Sequence, residues 1–239
     1  MSGVPIPDGA YVPTPDEIES ARYLAGWADG RLARDLVHDY AQRTTSLSDD
    51  HLMHALAREG FFAGSAPLVD VGCGASPHVG YHLSARVEDR DLSFLDTNPS
   101  ALQVHRATYR HIQQDDERAH ARGVRASWLL GDALDEPYLL SHKAVIVHGT
   151  LPTLAPTTNM RVRYDAPEVA RLSLESLLGA LPARLALYLD GAHGLDAPAH
   201  PAHVRAALDH LGAKYRVFEG VASADFTPRE GGYLVLLTP

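Results

Sequence analysis

From residue 68 onward, short apolar runs alternate with longer segments of helical pattern, and this alternation limits the fold more than any other feature. Seven runs have strand character, at 68–71, 92–95, 126–130, 144–147, 185–189, 215–218 and 233–237. Helical periodicity fills most of the intervals, at about 78–86, 99–122, 166–180 and 199–211. Strands that alternate with helices predict an α/β fold, in which helices cover both faces of a mostly parallel sheet.

The last two predicted strands break this alternation. The segment between 215–218 and 233–237 is too short and too irregular to hold a crossover helix. Parallel neighbours need such a crossover. The final strand is therefore predicted to run antiparallel to its neighbours.

The first 65 residues have a different pattern. Residues 1–13 contain three prolines and predict an extended arm, and helical periodicity follows. A chain of 239 residues suits one well-buried domain with an appendage. We therefore expect an N-terminal arm and helical cap over 1–65 and a ligand-binding α/β domain over 66–239. The aromatic residues of this cap are candidates for lining a substrate pocket or for simple packing: Tyr11, Tyr23 and Trp27.

Composition narrows the choice of partner. The net charge of −9 makes nucleic acid a poor partner, because an acidic surface repels phosphates. The single cysteine, Cys73, allows no intrachain disulfide. No apolar run approaches the roughly 20 residues that span a bilayer, and the first residues do not resemble a signal peptide. These features predict a cytoplasmic protein with no membrane partner.

A glycine loop follows the first predicted strand, in the sequence VDVGCGASP at 69–77. Gly72 and Gly74 permit a tight turn and a close approach of the backbone to a ligand. The dinucleotide fingerprint G-x-G-x-x-G would place a third glycine at position 77. This chain instead has Ser76 and Pro77 there, which predict a helix cap followed by the first residue of a helix. Asp70 lies inside the strand, and a buried carboxylate needs an N–H or cationic partner.

Two further acids stand at predicted strand ends. Asp96 ends the second strand, 24 residues beyond Gly72 (96 − 72), which suits an acid that binds ribose hydroxyls. Asp132 follows the third strand in the sequence GDALD. Ligands of open α/β sheets bind at the carboxyl ends of the strands. The three acids are therefore predicted to share one ligand site.

The segments VDVGCGASP, LDTNPSAL and GDALD, together with the reversed final strand, resemble the class I S-adenosylmethionine-dependent methyltransferases over residues 66–239. This resemblance implies a seven-stranded sheet of order 3-2-1-4-5-7-6, with strand 7 antiparallel, and S-adenosylmethionine as cofactor. It also implies three groups of cofactor-binding residues: Asp70, Gly72, Cys73 and Gly74 at the methionine part, Asp96 with Thr97 and Asn98 at the ribose and adenine, and Gly131, Asp132 and Ala133 at the adenine edge.

The acceptor site of this family lies past strands four and five. His148, at the end of strand four, is a candidate catalytic base and cofactor neighbour, or else a hydrogen-bonded structural histidine. His193 is a second catalytic candidate after strand five. Arg161 and Arg163 are candidates for binding an acceptor carboxylate or for surface ion pairs.

Several signatures are absent from the sequence. The end of strand four, VIVHGTLPTL, lacks the [DNS]-P-P-[YFW] motif of the nucleic-acid and protein amide N-methyltransferases. The metal-dependent catechol methyltransferases have a cluster of acidic residues, whereas here Asp190 stands alone at the end of strand five. The spacing of His193, His200 and His203 matches no standard zinc pattern, so no metal is predicted.

The leading hypothesis is a methyltransferase that acts on a small molecule, in specialised metabolism. An alternative keeps the cofactor but attacks its aminobutyrate carbon, as an aminocarboxypropyl transferase or as a cyclase that forms a small ring amino acid, and releases methylthioadenosine. Two others are an NAD-dependent oxidoreductase, which Asp70 and Pro77 disfavour, and a non-catalytic cofactor-binding protein. The acceptor and the oligomeric state stay open, with a homodimer as one option.

Overall fold

The computed structural model of the protein describes residues 4–5, 51–75, 77–115, 123–148, 167–189, 201–221 and 232–238. The main strands are β1 (Leu68–Val71), β2 (Asp91–Asp96), β3 (Arg125–Leu130), β4 (Ala144–His148), β5 (Arg184–Leu189), β6 (Lys214–Val221) and β7 (Gly232–Thr238). The helices are α1 (His51–Arg58), α2 (His78–Ser84), α3 (Pro99–Asp115), α4 (Pro167–Gly179) and α5 (Pro201–His210), with a 3-10 turn at Pro137–Leu139.

These seven strands form one sheet of order β3-β2-β1-β4-β5-β7-β6. Strands β1 to β5 pair in parallel, whereas β7 runs antiparallel to both β5 and β6. A further two-residue strand, Val4–Pro5, pairs antiparallel with the end of β3. The predicted fold class, strand order and reversed last strand are confirmed.

Each face of the sheet carries its own apolar core. In β4, Ala144 and Ile146 face the core that contains α1, α2 and α3, whereas Val145 and Val147 face α4 and α5. Successive strand residues point to opposite faces, so a strand covered on both sides must be apolar throughout. This is why the strands are continuous apolar runs in the sequence.

Helix α1 packs directly into one of these cores. Leu52, Met53 and Leu56 are all 0% exposed and belong to the same cluster as sheet residues of β2 and β4. The residues before α1, apart from Val4 and Pro5, lie outside the described part of the chain. Tyr11, Tyr23 and Trp27 are among them, so the cap stays a prediction. No helix in the described residues is long and apolar enough to cross a bilayer.

Helix α2 approaches the sheet closely at Gly80. A Cβ atom at this position would lie 2.7 Å from Cζ of Phe94 in β2, and closer still to Cε1. The dinucleotide fingerprint uses its third glycine for close contact between helix and strand. In this chain Pro77 occupies that third position as the N-cap of α2, and the close contact occurs one turn later.

Four buried rings pack together between α3 and the sheet. Two belong to α3, His105 and Tyr109, and two to the strands, Phe94 and Trp128. Nε1 of Trp128 donates to Nδ1 of His105 at 3.0 Å, so the neutral imidazole carries its proton on Nε2. Burial lowers the pKa of His105 to about 3, because the low-dielectric surroundings disfavour the imidazolium. The ring is therefore neutral throughout the physiological range.

Replacing Gly80 with alanine should destabilise the protein by about 1–3 kcal/mol, the usual cost of overpacking. The Phe94 ring cannot yield, because Trp128 and Tyr109 pack against it. Gly179→Ala is the matched control, because its added Cβ at the end of α4 would meet no atom of the described ranges within 4 Å. Urea denaturation measures both variants, and equal stabilities would contradict the close contact.

The depressed pKa of His105 should make the protein less stable in acid. The unfolded chain binds a proton near pH 6.5 and the folded protein only near pH 3, so stability falls as the pH drops through this window. Going from pH 7 to pH 5 should cost about 2 kcal/mol through this residue. His105→Asn, which keeps an acceptor for Trp128, should lose this part of the pH dependence in urea denaturation.

His111→Asn is the control for that experiment, because His111 lies on the same helix and is exposed. Its pH dependence should match that of the unaltered protein. An unchanged slope in His105→Asn would show that His105 is not held neutral by burial.

Candidate functional site

The glycine loop begins where β1 ends, at the carboxyl edge of the sheet. Gly72 and Gly74 have φ angles of 70° and 62°, in the left-handed region that side chains disfavour. No atom of the described residues would lie within 4 Å of a Cβ atom at Gly74, so none of these residues fills the space beside the loop. The loop therefore presents bare backbone to that space.

Three hydrogen bonds tie this loop to the end of the neighbouring strand β2. The backbone N–H groups of Gly72 and Cys73 both donate to the carbonyl oxygen of Leu95, at 2.7 and 3.4 Å. The N–H of Gly74 donates to Oδ2 of Asp96 at 2.8 Å. The loop is thus held by its backbone, with a charge-assisted hydrogen bond at Gly74.

Asp96 joins two more segments to the glycine loop. Its Oδ1 accepts from the N–H of Asn98 at 2.8 Å, at the start of α3. Its carbonyl oxygen accepts from the N–H of Gly131 at 3.1 Å, in the loop after β3. Burial raises the pKa of Asp96, and the N–H groups of Asn98, Gly74 and Thr97 offset part of that rise.

Asp70 adds a second carboxylate under the glycine loop. It is 1% exposed and pairs in register with Phe94 of β2 and Ile146 of β4. Burial, together with the charges of Asp96 and Asp70, raises the pKa of the Cys73 thiol well above its usual value. The loop therefore carries a neutral thiol within the electrostatic reach of two acids, and two carboxylates favour a cationic ligand group.

The loop after β3 completes this edge of the sheet. Oδ1 of Asp132 accepts from the N–H of Leu134 at 2.9 Å, which closes a local turn. Burial raises the pKa of Asp132, this N–H opposes the rise, and the charges of Asp135 and Glu136 add to it. Ala133 is buried beside it, whereas Thr97 across the edge is exposed.

The structure brings together the residues that the sequence assigned to the cofactor at the ends of β1, β2 and β3. His148 ends β4 and pairs in register with Tyr188 of β5, and only its backbone is described. His193, Arg161 and Arg163 lie outside the described residues, so their roles stay predictions. Within the described ranges no group of three or more residues could hold a metal ion.

Two features of the site escaped the sequence-based reasoning. One is the contact between Gly80 and Phe94, which sets the distance of α2 from the sheet. A glycine inside a helical pattern is a weak signal for such a contact, because it disfavours the helix unless packing requires it. The other is the Gly74–Asp96 hydrogen bond, which joins residues 22 positions apart and leaves no mark in the sequence.

The structure is similar to several solved methyltransferase structures. Magnesium protoporphyrin IX methyltransferase from Synechocystis PCC 6803, with bound S-adenosylhomocysteine, is 14% identical, with a TM-score of 0.52 over 94% of this chain and 95% of that chain. A SAM-dependent methyltransferase from Leishmania major is 10% identical, with a TM-score of 0.51 over 93% and 81%.

The small RNA methyltransferase HEN1 is 14% identical, with a TM-score of 0.53 over 79% of this chain but 25% of that chain. No protein-family model and no curated protein sequence matches the chain. At sequence identities of 10–14%, the similarity to these structures is a similarity of fold.

The raised pKa of Cys73 predicts that its thiol reacts slowly with alkylating reagents. Alkylation by iodoacetamide at pH 8 should be at least about tenfold slower in the folded protein than in urea, because the thiolate is the reacting form. The rate should still be rising at pH 10. Cys73 is the only cysteine, so the reaction can be followed by mass spectrometry. Equal rates in the folded and unfolded protein would contradict the acidic environment of the thiol.

Proposed function

We propose that this chain, which has the fold of the class I S-adenosylmethionine-dependent methyltransferases, binds S-adenosylmethionine and transfers its methyl group to a small molecule. The observation that carries the proposal is the link between the glycine loop and Asp96 at the carboxyl edge of the sheet. Open α/β sheets bind their ligands at this edge.

The residues at this edge fit such a cofactor. The open space beside Gly74 leaves room for a ligand next to the backbone. A carboxylate has about four acceptor positions, so Asp96 can bind ribose hydroxyls besides its backbone partners. The negative charge of Asp70 and Asp96 suits the ammonium and sulfonium groups of the methionine part.

For methyl transfer, the main task of the protein is to position the acceptor atom in line with the methyl group. When bound, S-adenosylmethionine supplies a methyl group that its sulfonium charge has already activated. The glycine loop, Asp96 and Asp132 would orient it, and proximity then provides most of the rate. Where the acceptor atom carries a proton, His148 at the end of β4 is the candidate base.

The net charge supports a small acceptor. At −9 the chain would repel the phosphates of a nucleic acid, which matters because one similar structure is a small RNA methyltransferase. Another similar structure is a methyltransferase named for magnesium protoporphyrin IX. A small-molecule acceptor within a biosynthetic pathway is therefore our proposal for this chain.

Ligand binding and product analysis test the proposal together. Calorimetry should show binding of S-adenosylhomocysteine, and not of NADH, to the purified protein. Incubation with S-adenosylmethionine alone should give no turnover, and a library of small acceptors should then yield S-adenosylhomocysteine and a methylated product, detected by mass spectrometry.

Three alternatives give different results in these measurements. Methylthioadenosine formed without any acceptor would contradict methyl transfer and indicate attack on the aminobutyrate carbon. Binding of NADH without S-adenosylhomocysteine would contradict the cofactor. Methylation of RNA but of no small molecule would contradict the acceptor class.

A further inference from the structure

The conformation of Gly74 depends on hydrogen bonding rather than on side-chain packing. Its φ angle of 62° is one that most residues avoid, and no described residue lies within 4 Å of where a Cβ atom would stand. Its N–H is directed to a carboxylate on the next strand, at 2.8 Å. Removing that acceptor would leave the loop held to β2 only by the hydrogen bonds of Gly72 and Cys73 to Leu95, among those described.

The carboxylate of Asp96 is well placed to restrain the loop. Its other oxygen accepts from Asn98 at 2.8 Å, at the start of a helix of 17 residues. Oδ1 of Asn98 in turn accepts from the N–H of Ala101 at 3.1 Å, which caps this helix. The carboxylate that accepts from Gly74 is therefore held by the first turn of α3. The position of α3 thus helps to set the position of the loop.

We propose that Asp96 is a positioning residue that holds the glycine loop in its ligand-binding conformation through the N–H of Gly74. This role is separate from any contact between Asp96 and the ribose, and it rests on the proposed function only for its effect on cofactor binding. The restraint itself exists in the protein without ligand. It orders the loop backbone before the ligand binds, so binding does not lose free energy to ordering the loop.

The ligand-free protein gives the first test. In Asp96→Ala the amide proton of Gly74 should shift upfield in the NMR spectrum and exchange with solvent at least about tenfold faster, because a charge-assisted hydrogen bond is lost. Asp91→Ala is the matched control, because Asp91 begins the same strand and pairs with Arg125 at the opposite edge. An unchanged Gly74 amide in Asp96→Ala would overturn the proposal.

A cofactor analogue without ribose hydroxyls gives the second test. If Asp96 acted only through the ribose and through its negative charge, Asp96→Asn, whose side-chain oxygen can still accept from Gly74, and Asp96→Ala would bind 2′,3′-dideoxy-S-adenosylhomocysteine equally well. Because only Asp96→Ala loses the loop restraint, we expect it to bind this analogue about tenfold more weakly than Asp96→Asn does. Equal affinities would show that the restraint does not serve cofactor binding.

The two tests also separate this proposal from the proposed function. If the unaltered protein bound neither ligand, the proposed function would fail, and the Gly74 amide would still decide whether Asp96 restrains the loop. If Asp96→Ala failed to fold, hydrogen exchange in the unaltered protein would decide the matter. A Gly74 amide that exchanges as fast as in an unstructured peptide would overturn the restraint.

Discussion

Asp96 is the residue on which the candidate site most depends, because it joins three loops that are far apart in the chain. Its carboxylate accepts from Gly74 and Asn98, and its carbonyl oxygen accepts from Gly131. Two of these donors belong to loops that follow β1 and β3, on either side of β2. A single residue at the end of β2 thereby fixes the edge that a ligand would contact.

The packing of the sheet makes this arrangement possible. Alternate residues of β4 and β5 enter two separate apolar cores, so both faces of the sheet are covered by apolar packing. Gly80 lets α2 approach Phe94 closely, and Phe94 belongs to the ring cluster under α3. The helices on that face are thus placed by contacts that lie beneath the site.

The electrostatic character of the site follows from burial. Burial raises the pKa of Asp96, and burial of the thiol, together with the charges of Asp96 and Asp70, raises the pKa of Cys73. In the described part of the chain, backbone N–H groups rather than cationic side chains donate the hydrogen bonds to Asp96. A ligand with positive charge would find acceptor atoms there with no competing cation among these hydrogen-bond partners, which is the electrostatic basis of the proposed cofactor.

The sequence alone determined the fold class and the reversed last strand, because apolar periodicity and loop length are local properties of the chain. The strand order came from the resemblance to a known family. The sequence also identified the acids at the strand ends, since a strand's end is read from the same pattern. Only the tertiary structure decided that the carboxylate of Asp96 turns toward Gly74 and that Gly80, rather than position 77, makes the close helix contact. Both depend on distances between segments that neighbouring residues do not encode, because the sheet and the helices packed on it bring those segments together.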